Sequence, residues 1–165
     1  MRTVIRAILA IFVVAAVSGC ASKFRSYNGP EVTRVVVYKE SRAMYLLHHK
    51  KVLKRYDIEL GFEPNGDKKV SGDGKTPEGH YLIDRRNPDS KFHLSLGIDY
   101  PRKKDIAEAR ALGKDPGGDI FIHGRGNLLT LLRPDWTWGC IAVTDDEIEE
   151  IYAMVQNGTP ISIYK

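Results

Sequence analysis

Apolar and polar positions alternate over several short runs, and this predicts a chain built mostly from strands. Glu31 to Tyr38 contains Val32, Val35, Val36 and Val37, whose β-branched bulk favours an extended backbone. Ala43 to His48 reads as a second strand. Val52 to Leu60 reads as a third, with Val52, Tyr56, Ile58 and Leu60 on one face, although Leu53 and Lys54 interrupt the alternation. Gly61 to Glu78 is dense in Gly, Pro, Asp and Lys and predicts loop. Short strands follow at His80 to Asp84, Phe92 to Leu96 and Asp119 to His123, and a last one at Pro160 to Tyr164. Two stretches change period. Arg102 to Leu112 is charged and alanine-rich, as in a surface helix. Thr144-Asp145-Asp146-Glu147 forms a capping box, followed by Ile148, Ile151, Tyr152 and Val155 on one helical face, with Gly158 as the expected stop. No internal repeat is present. The predicted class is mainly β with two short helices and a mixed sheet, sandwich-like or barrel-like.

The amino terminus follows a different pattern. Arg2 and Arg6 precede an unbroken apolar run of eleven residues, Ala7 to Val17. That is the length of a signal-peptide core and too short to span a bilayer as a mature helix. The run ends in Val17-Ser18-Gly19-Cys20, which resembles a bacterial lipobox. On this reading residues 1–19 are a lipoprotein signal peptide. Cys20 is lipidated and anchors the chain to a membrane, residues 20–30 are anchor and tether, and residues 31–165 are the working domain. An ordinary signal peptide with an incidental cysteine, or an uncleaved anchor, are the alternatives. Ala21 after Cys20 directs the expectation to the periplasmic side of the outer membrane in a Gram-negative cell.

The 165 residues suit one domain, and two cysteines exclude a disulfide scaffold or a four-thiolate zinc site. The net charge is +4, or +2 without Arg2 and Arg6, so there is no electrostatic case for nucleic acid. With Cys20 lipidated, Cys140 is a lone thiol in an oxidising compartment, which points to chemistry rather than pairing.

Two segments carry that chemistry. Ile120-Phe121-Ile122-His123-Gly124 is an apolar strand ending in His-Gly. In Asp135-Trp136-Thr137-Trp138-Gly139-Cys140 a glycine precedes the thiol. Thiol acyl transfer needs a sulfur nucleophile and an imidazole that lowers the thiol pKa and then shuttles a proton. Gly139 leaves room for a carbonyl to reach sulfur, and the amides of Trp138, Gly139 and Cys140 are candidates for an oxyanion hole. Gly124 is expected to orient His123 through its backbone. His48 and His49, adjacent in a strand, should face opposite sides and share no metal. Gly72 to Gly79 lacks the spacing of a phosphate loop.

In these blocks the chain resembles the L,D-transpeptidase (YkuD-type) catalytic domain. His123-Gly124 and Thr137-Trp138-Gly139-Cys140 match its His-Gly and Ser/Thr-His-Gly-Cys signatures, with Trp138 in place of the second histidine. Gly72 to Gly79 resembles the family's Thr-Pro-x-Gly segment. Phe92 to Leu96 with Tyr100-Pro101 resembles the segment before its central loop. The likeness spans about Val32 to Lys165. Ala142 stands where many members carry arginine.

The resemblance implies that Cys140 is the nucleophile and His123 the proton acceptor and donor, with Gly124, Gly139 and Trp138 in support. It implies acyl transfer on peptidoglycan stem peptides, for cross-linking or remodelling of the wall, with no cofactor and no metal. Tyr100, His93, Arg125 and Thr137 are the expected substrate contacts. A cysteine hydrolase cleaving stem peptides or peptidoglycan–protein links is the first alternative. A wall-binding lipoprotein without activity, suggested by Trp138, is the second.

Overall fold

A computed structural model describes residues 22–126 and 134–165. The leader, Cys20 and most of the Asn127–Pro134 loop lie outside the described residues. No helix among the described residues is long and apolar enough to cross a membrane.

Eight strands form one mixed sheet: β1 (Arg34–Tyr38), β2 (Ala43–His48), β3 (Lys51–Asp57), β4 (Gly79–Asn87), β5 (Ser95–Ile98), β6 (Phe121–His123), β7 (Ile141–Ala142) and β8 (Pro160–Tyr164). Helix α1 (Lys103–Ala111) links β5 to β6, and α2 (Asp145–Met154) links β7 to β8. The spatial order is β3-β2-β1-β8-β4-β5-β6-β7. β1 runs parallel to β8 and β6 to β7, while the other neighbours are antiparallel. Among the described residues, the mostly-β class with two helices is therefore the observed one.

The sheet curls until its two ends meet. The chain leaving β3 bridges to β7: Glu59 and Ala142 exchange both backbone hydrogen bonds, at 2.9 and 2.8 Å. Further along, the Thr137 amide donates to the Leu60 carbonyl (3.2 Å) and the Phe62 amide to the Thr137 carbonyl (3.0 Å). Closure satisfies the polar edges of two otherwise terminal strands. Gly61 sits in this seam because nothing larger fits there: a Cβ would lie 2.0 Å from the Gly74 carbonyl oxygen and 2.8 Å from the Gly139 nitrogen.

Inside the curl, alternation fills the core. Val35 and Val37 point in from β1, Tyr81 and Ile83 from β4, and Ile161 and Ile163 from β8, while β5 is buried along its length. α2 lays Ile148, Ile151, Tyr152 and Val155 against this core, the predicted face. Its capping box is present: Thr144 Oγ1 accepts from the Glu147 amide (3.3 Å), and Glu147 accepts from the Thr144 amide (2.9 Å).

Three local expectations are corrected. Leu53 and Lys54 break the β3 alternation because the pairing to β2 shifts register there, with Leu46 opposite Lys54 and Leu47 opposite Val52. The bulge turns Val52 to solvent and brings Leu53 against the core. Gly158 does not close α2. The helix ends at Met154, and Arg86 donates to the carbonyls of Tyr152 and Val155 while stacking 3.9 Å over the Tyr152 ring. Gly158, at φ +87°, instead serves the turn into β8. His49 leaves the strand at φ +53°, so its ring meets that of His48 at 4.4 Å rather than facing away.

Residues 22–30, read as a tether, lie against the domain. Lys23 donates to the Pro88 (2.6 Å) and His93 (3.3 Å) carbonyls, Arg25 pairs with Asp146 and Glu149 of α2, and Phe24 meets the Tyr152 ring at 6.3 Å.

Gly61→Ala should destabilise the domain by roughly 1–3 kcal/mol through overpacking at the seam, read as a lower urea midpoint at unchanged slope. A variant as stable as the parent would show that the seam yields locally.

Candidate active site

Cys140 and His123 reach one place because parallel β6 and β7 end side by side, with His123 opposite Ala142. Both line a cleft of about 450 Å³ with Asn87, Asp89, Lys91, Phe92 and Phe121. Cys140 is half-buried, and its thiol points to the Asp119 carbonyl at 3.5 Å.

His123 is buried, and its Nδ1 lies 2.6 Å from the Gly124 carbonyl oxygen. A carbonyl only accepts, so Nδ1 carries the proton and the neutral ring leaves Nε2 as the acceptor. Gly124 holds that carbonyl in place. Its amide donates to Phe92 O (3.1 Å), and a Cβ on it would strike Asp145 Oδ1 at 2.4 Å. Asp145, the first residue of α2, accepts from the amides of Arg125 (2.7 Å) and Gly126 (3.1 Å), so the turn after His123 is anchored to the start of that helix, beside the Thr144–Glu147 cap.

Two aromatic rings box the imidazole. Phe92 stacks on it at 4.5 Å and 26°, and Trp136 approaches edge-on at 5.5 Å. This desolvation lowers the His123 pKa below the ordinary imidazole value, against the opposing pull of the Gly124 carbonyl and the Asp145 charge. Burial also pushes the Cys140 thiol up to about 11, and the Asp119 charge adds to that rise. The expected lowering of the thiol pKa is thus not what the site produces. The pair rests as neutral thiol and neutral imidazole, because each charged form would be poorly solvated.

The segment before Cys140 is held by Asp135 and Thr137. Asp135 accepts from Arg42 at 3.1 and 2.5 Å and from the Leu60 amide at 2.9 Å. Thr137 is buried. Its hydroxyl donates to the Cys140 carbonyl (2.8 Å) and accepts from the Gly139 amide (3.2 Å). Of the three amides expected to line an oxyanion hole, that of Gly139 is therefore engaged. Gly139 adopts φ +119°, and a Cβ would lie 2.5 Å from the Lys75 carbonyl oxygen, so the glycine-rich segment braces the turn beside the thiol.

The four expected substrate contacts lie outside the cleft lining. Tyr100 is buried and donates to Pro116 O at 3.0 Å. His93 faces Glu149 at 2.8 Å, on the α2 side. Arg125 pairs with Glu59 beside the seam. Thr137 holds the Gly139–Cys140 turn from within. Trp138, grouped from sequence with the supporting residues, points outward and is 72% exposed. Phe92, Asp135 and Asp145 were given no role at the site from sequence, although each lies inside a segment singled out there. Among the described residues, no group of three or more His, Cys, Asp or Glu is placed to hold a metal ion.

Residues 32–163 match the family model described as the L,D-transpeptidase catalytic domain. YafK of Escherichia coli (strain K12), whose name assigns it provisionally to the L,D-transpeptidases, is 29% identical over 143 residues, covering 79% of this chain and 52% of YafK. The helical cell shape determining protein Pgp2 of Campylobacter jejuni superposes with a TM-score of 0.62 at 25% identity, covering 88% of this chain and 51% of Pgp2. An L,D-transpeptidase from Mycobacterium smegmatis shares the fold with a TM-score of 0.55 at 14% identity, covering 81% of this chain and 59% of its own. The chain spans about half the length of the curated relatives it matches.

Thr137→Val keeps the shape and removes the hydroxyl that bonds on both sides of Gly139. It should cost about 1–3 kcal/mol of stability in chemical denaturation, because the Gly139 amide and Cys140 carbonyl lose their partner. A change below about 0.5 kcal/mol would assign the turn before Cys140 to the seam alone.

Proposed function

The chain belongs to the L,D-transpeptidase catalytic-domain family, and we propose that it acts on peptidoglycan stem peptides by thiol acyl transfer, with Cys140 as nucleophile and His123 as base. The observation that carries this reading is the shared cleft. A glycine-flanked thiol and an imidazole of defined tautomer open into it together.

The neutral resting pair sets the order of events. Cys140 Sγ attacks the carbonyl of the diamino-acid residue at the third stem position as its proton passes to His123 Nε2. The amide C–N bond then breaks. The departing D-amino acid takes the proton from Nε2, and a thioester remains on Cys140. An acceptor amine attacks the thioester, His123 receives its proton, and the sulfur leaves and is reprotonated. Water in the acceptor position would give hydrolysis through the same intermediate. The reading places the protein in the cell envelope on the periplasmic side, held by a lipid on Cys20.

The deciding experiment incubates the purified protein with muropeptides and a free D-amino acid and reads the products by mass spectrometry. Exchange of the terminal residue or new cross-links, abolished in Cys140→Ala, is the expected result. Shortened stems alone would make the protein a hydrolase. No Cys140-dependent product would sink stem-peptide chemistry.

The pH dependence follows from the two shifts. kcat/KM should fall on acidification with a midpoint below 6.5, where His123 gains its proton and can no longer accept one. Iodoacetamide alkylation of Cys140 should still be rising at about pH 9.5, above the ordinary thiol midpoint of about 8.5. A rate plateau below pH 7 would instead mark a preformed thiolate–imidazolium pair.

A further inference from the structure

Trp138 is the most exposed of the large apolar side chains among the described residues, at 72%. The mechanism above makes no use of it. Its place is nonetheless built. Phe62 meets it at 5.0 Å and 84°, and Phe62 is itself 47% exposed. The Phe62 ring lies so close over Gly74 that a Cβ there would be 2.3 Å from a ring carbon, and Gly74 also holds φ +69°. The two rings come from the two segments that the seam joins, through the Phe62 amide and the Thr137 carbonyl at 3.0 Å. Buried Thr137 separates Trp136, which covers His123, from Trp138, which does not.

Two exposed aromatic rings, with the exposed Glu63 next to Phe62 in the chain, make a small apolar ledge. A stable protein–protein interface needs some 1,200 Å² or more of total buried surface, well beyond two rings. A pyranose fits the description better. Its axial C–H bonds carry partial positive charge and favour the negative face of an aromatic ring, and its hydroxyls reach polar neighbours. Distance agrees with the stem-peptide reading. The attacked carbonyl belongs to the third stem residue, so the stem reaches back to its sugar over about 10 Å of extended chain. Trp138 lies two residues from Cys140.

We propose that Trp138 and Phe62 form a saccharide subsite that seats a sugar ring of the glycan strand carrying the stem peptide. The inference rests on the stem-peptide reading for the identity of the sugar. The ledge then makes the enzyme favour stems still attached to glycan over free ones.

The test separates binding from turnover. The purified protein is titrated by calorimetry with a peptide-free tetrasaccharide of alternating N-acetylglucosamine and N-acetylmuramic acid. Trp138→Ala should bind it roughly 3- to 10-fold more weakly, and Trp138→Phe should recover most of the loss. In parallel, the ratio of kcat/KM for glycan-attached over free stems should fall toward one in Trp138→Ala. Equal tetrasaccharide affinity in parent and Trp138→Ala, or no detectable binding by the parent, overturns the subsite. Loss of free stem-peptide binding in Trp138→Ala with saccharide binding intact also overturns it. If the parent turns over neither substrate, the stem-peptide reading fails while the titration still decides the ledge.

Discussion

The candidate site depends on a seam of backbone hydrogen bonds between the chain leaving β3 and the chain entering β7. Glu59 and Ala142 close the sheet. Leu60 and Phe62 then hold Thr137, and Asp135 reaches back to the Leu60 amide. A thiol needs a defined position more than it needs many neighbours. Here that position comes from edges that would otherwise stay unpaired. Gly61, Gly74 and Gly139 crowd together at this line: a Cβ on Gly61 or Gly139 would strike backbone, and one on Gly74 the Phe62 ring. The loop before β4, dense in glycine, thus works as a brace for the turn before Cys140.

Around His123 the protein uses apolar contact to control charge. Phe92 and Trp136 shield the imidazole, while the Gly124 carbonyl assigns its proton to Nδ1. The tautomer leaves Nε2 as the acceptor, and burial favours the protonated sulfur. Such a pair avoids holding two buried charges at rest.

Much of this was legible in the residues. β2, β8 and the apolar face of α2 follow from alternation and helical spacing, and their boundaries are set by local turns and a capping box. That His123 and Cys140 share a cleft was legible because both sit in short motifs whose backbone neighbours are glycine. The expected substrate contacts were harder to read because side-chain direction depends on long-range constraints. His93 takes φ +71°, which reverses the alternation and sends its ring to Glu149 while Phe92 takes the cleft. Tyr100 has the composition of a rim residue, yet it is buried against the Asp115–Gly118 turn by a partner that spacing does not reveal. Asp135 and Arg42 lie 93 positions apart, and no local pattern joins them.

The strap formed by residues 22–30 gives the domain a mechanical property. Its lysine grips the carbonyls at both ends of the Pro88–His93 loop, and its arginine grips α2, whose first residue carries the turn after His123. A pull applied at Ser22 would be delivered first to the wall that holds Phe92 and to the helix that seats Gly124. Tension on the amino-terminal side would therefore be carried first by the Pro88–His93 loop and the first turns of α2, before it reached the strands of the core.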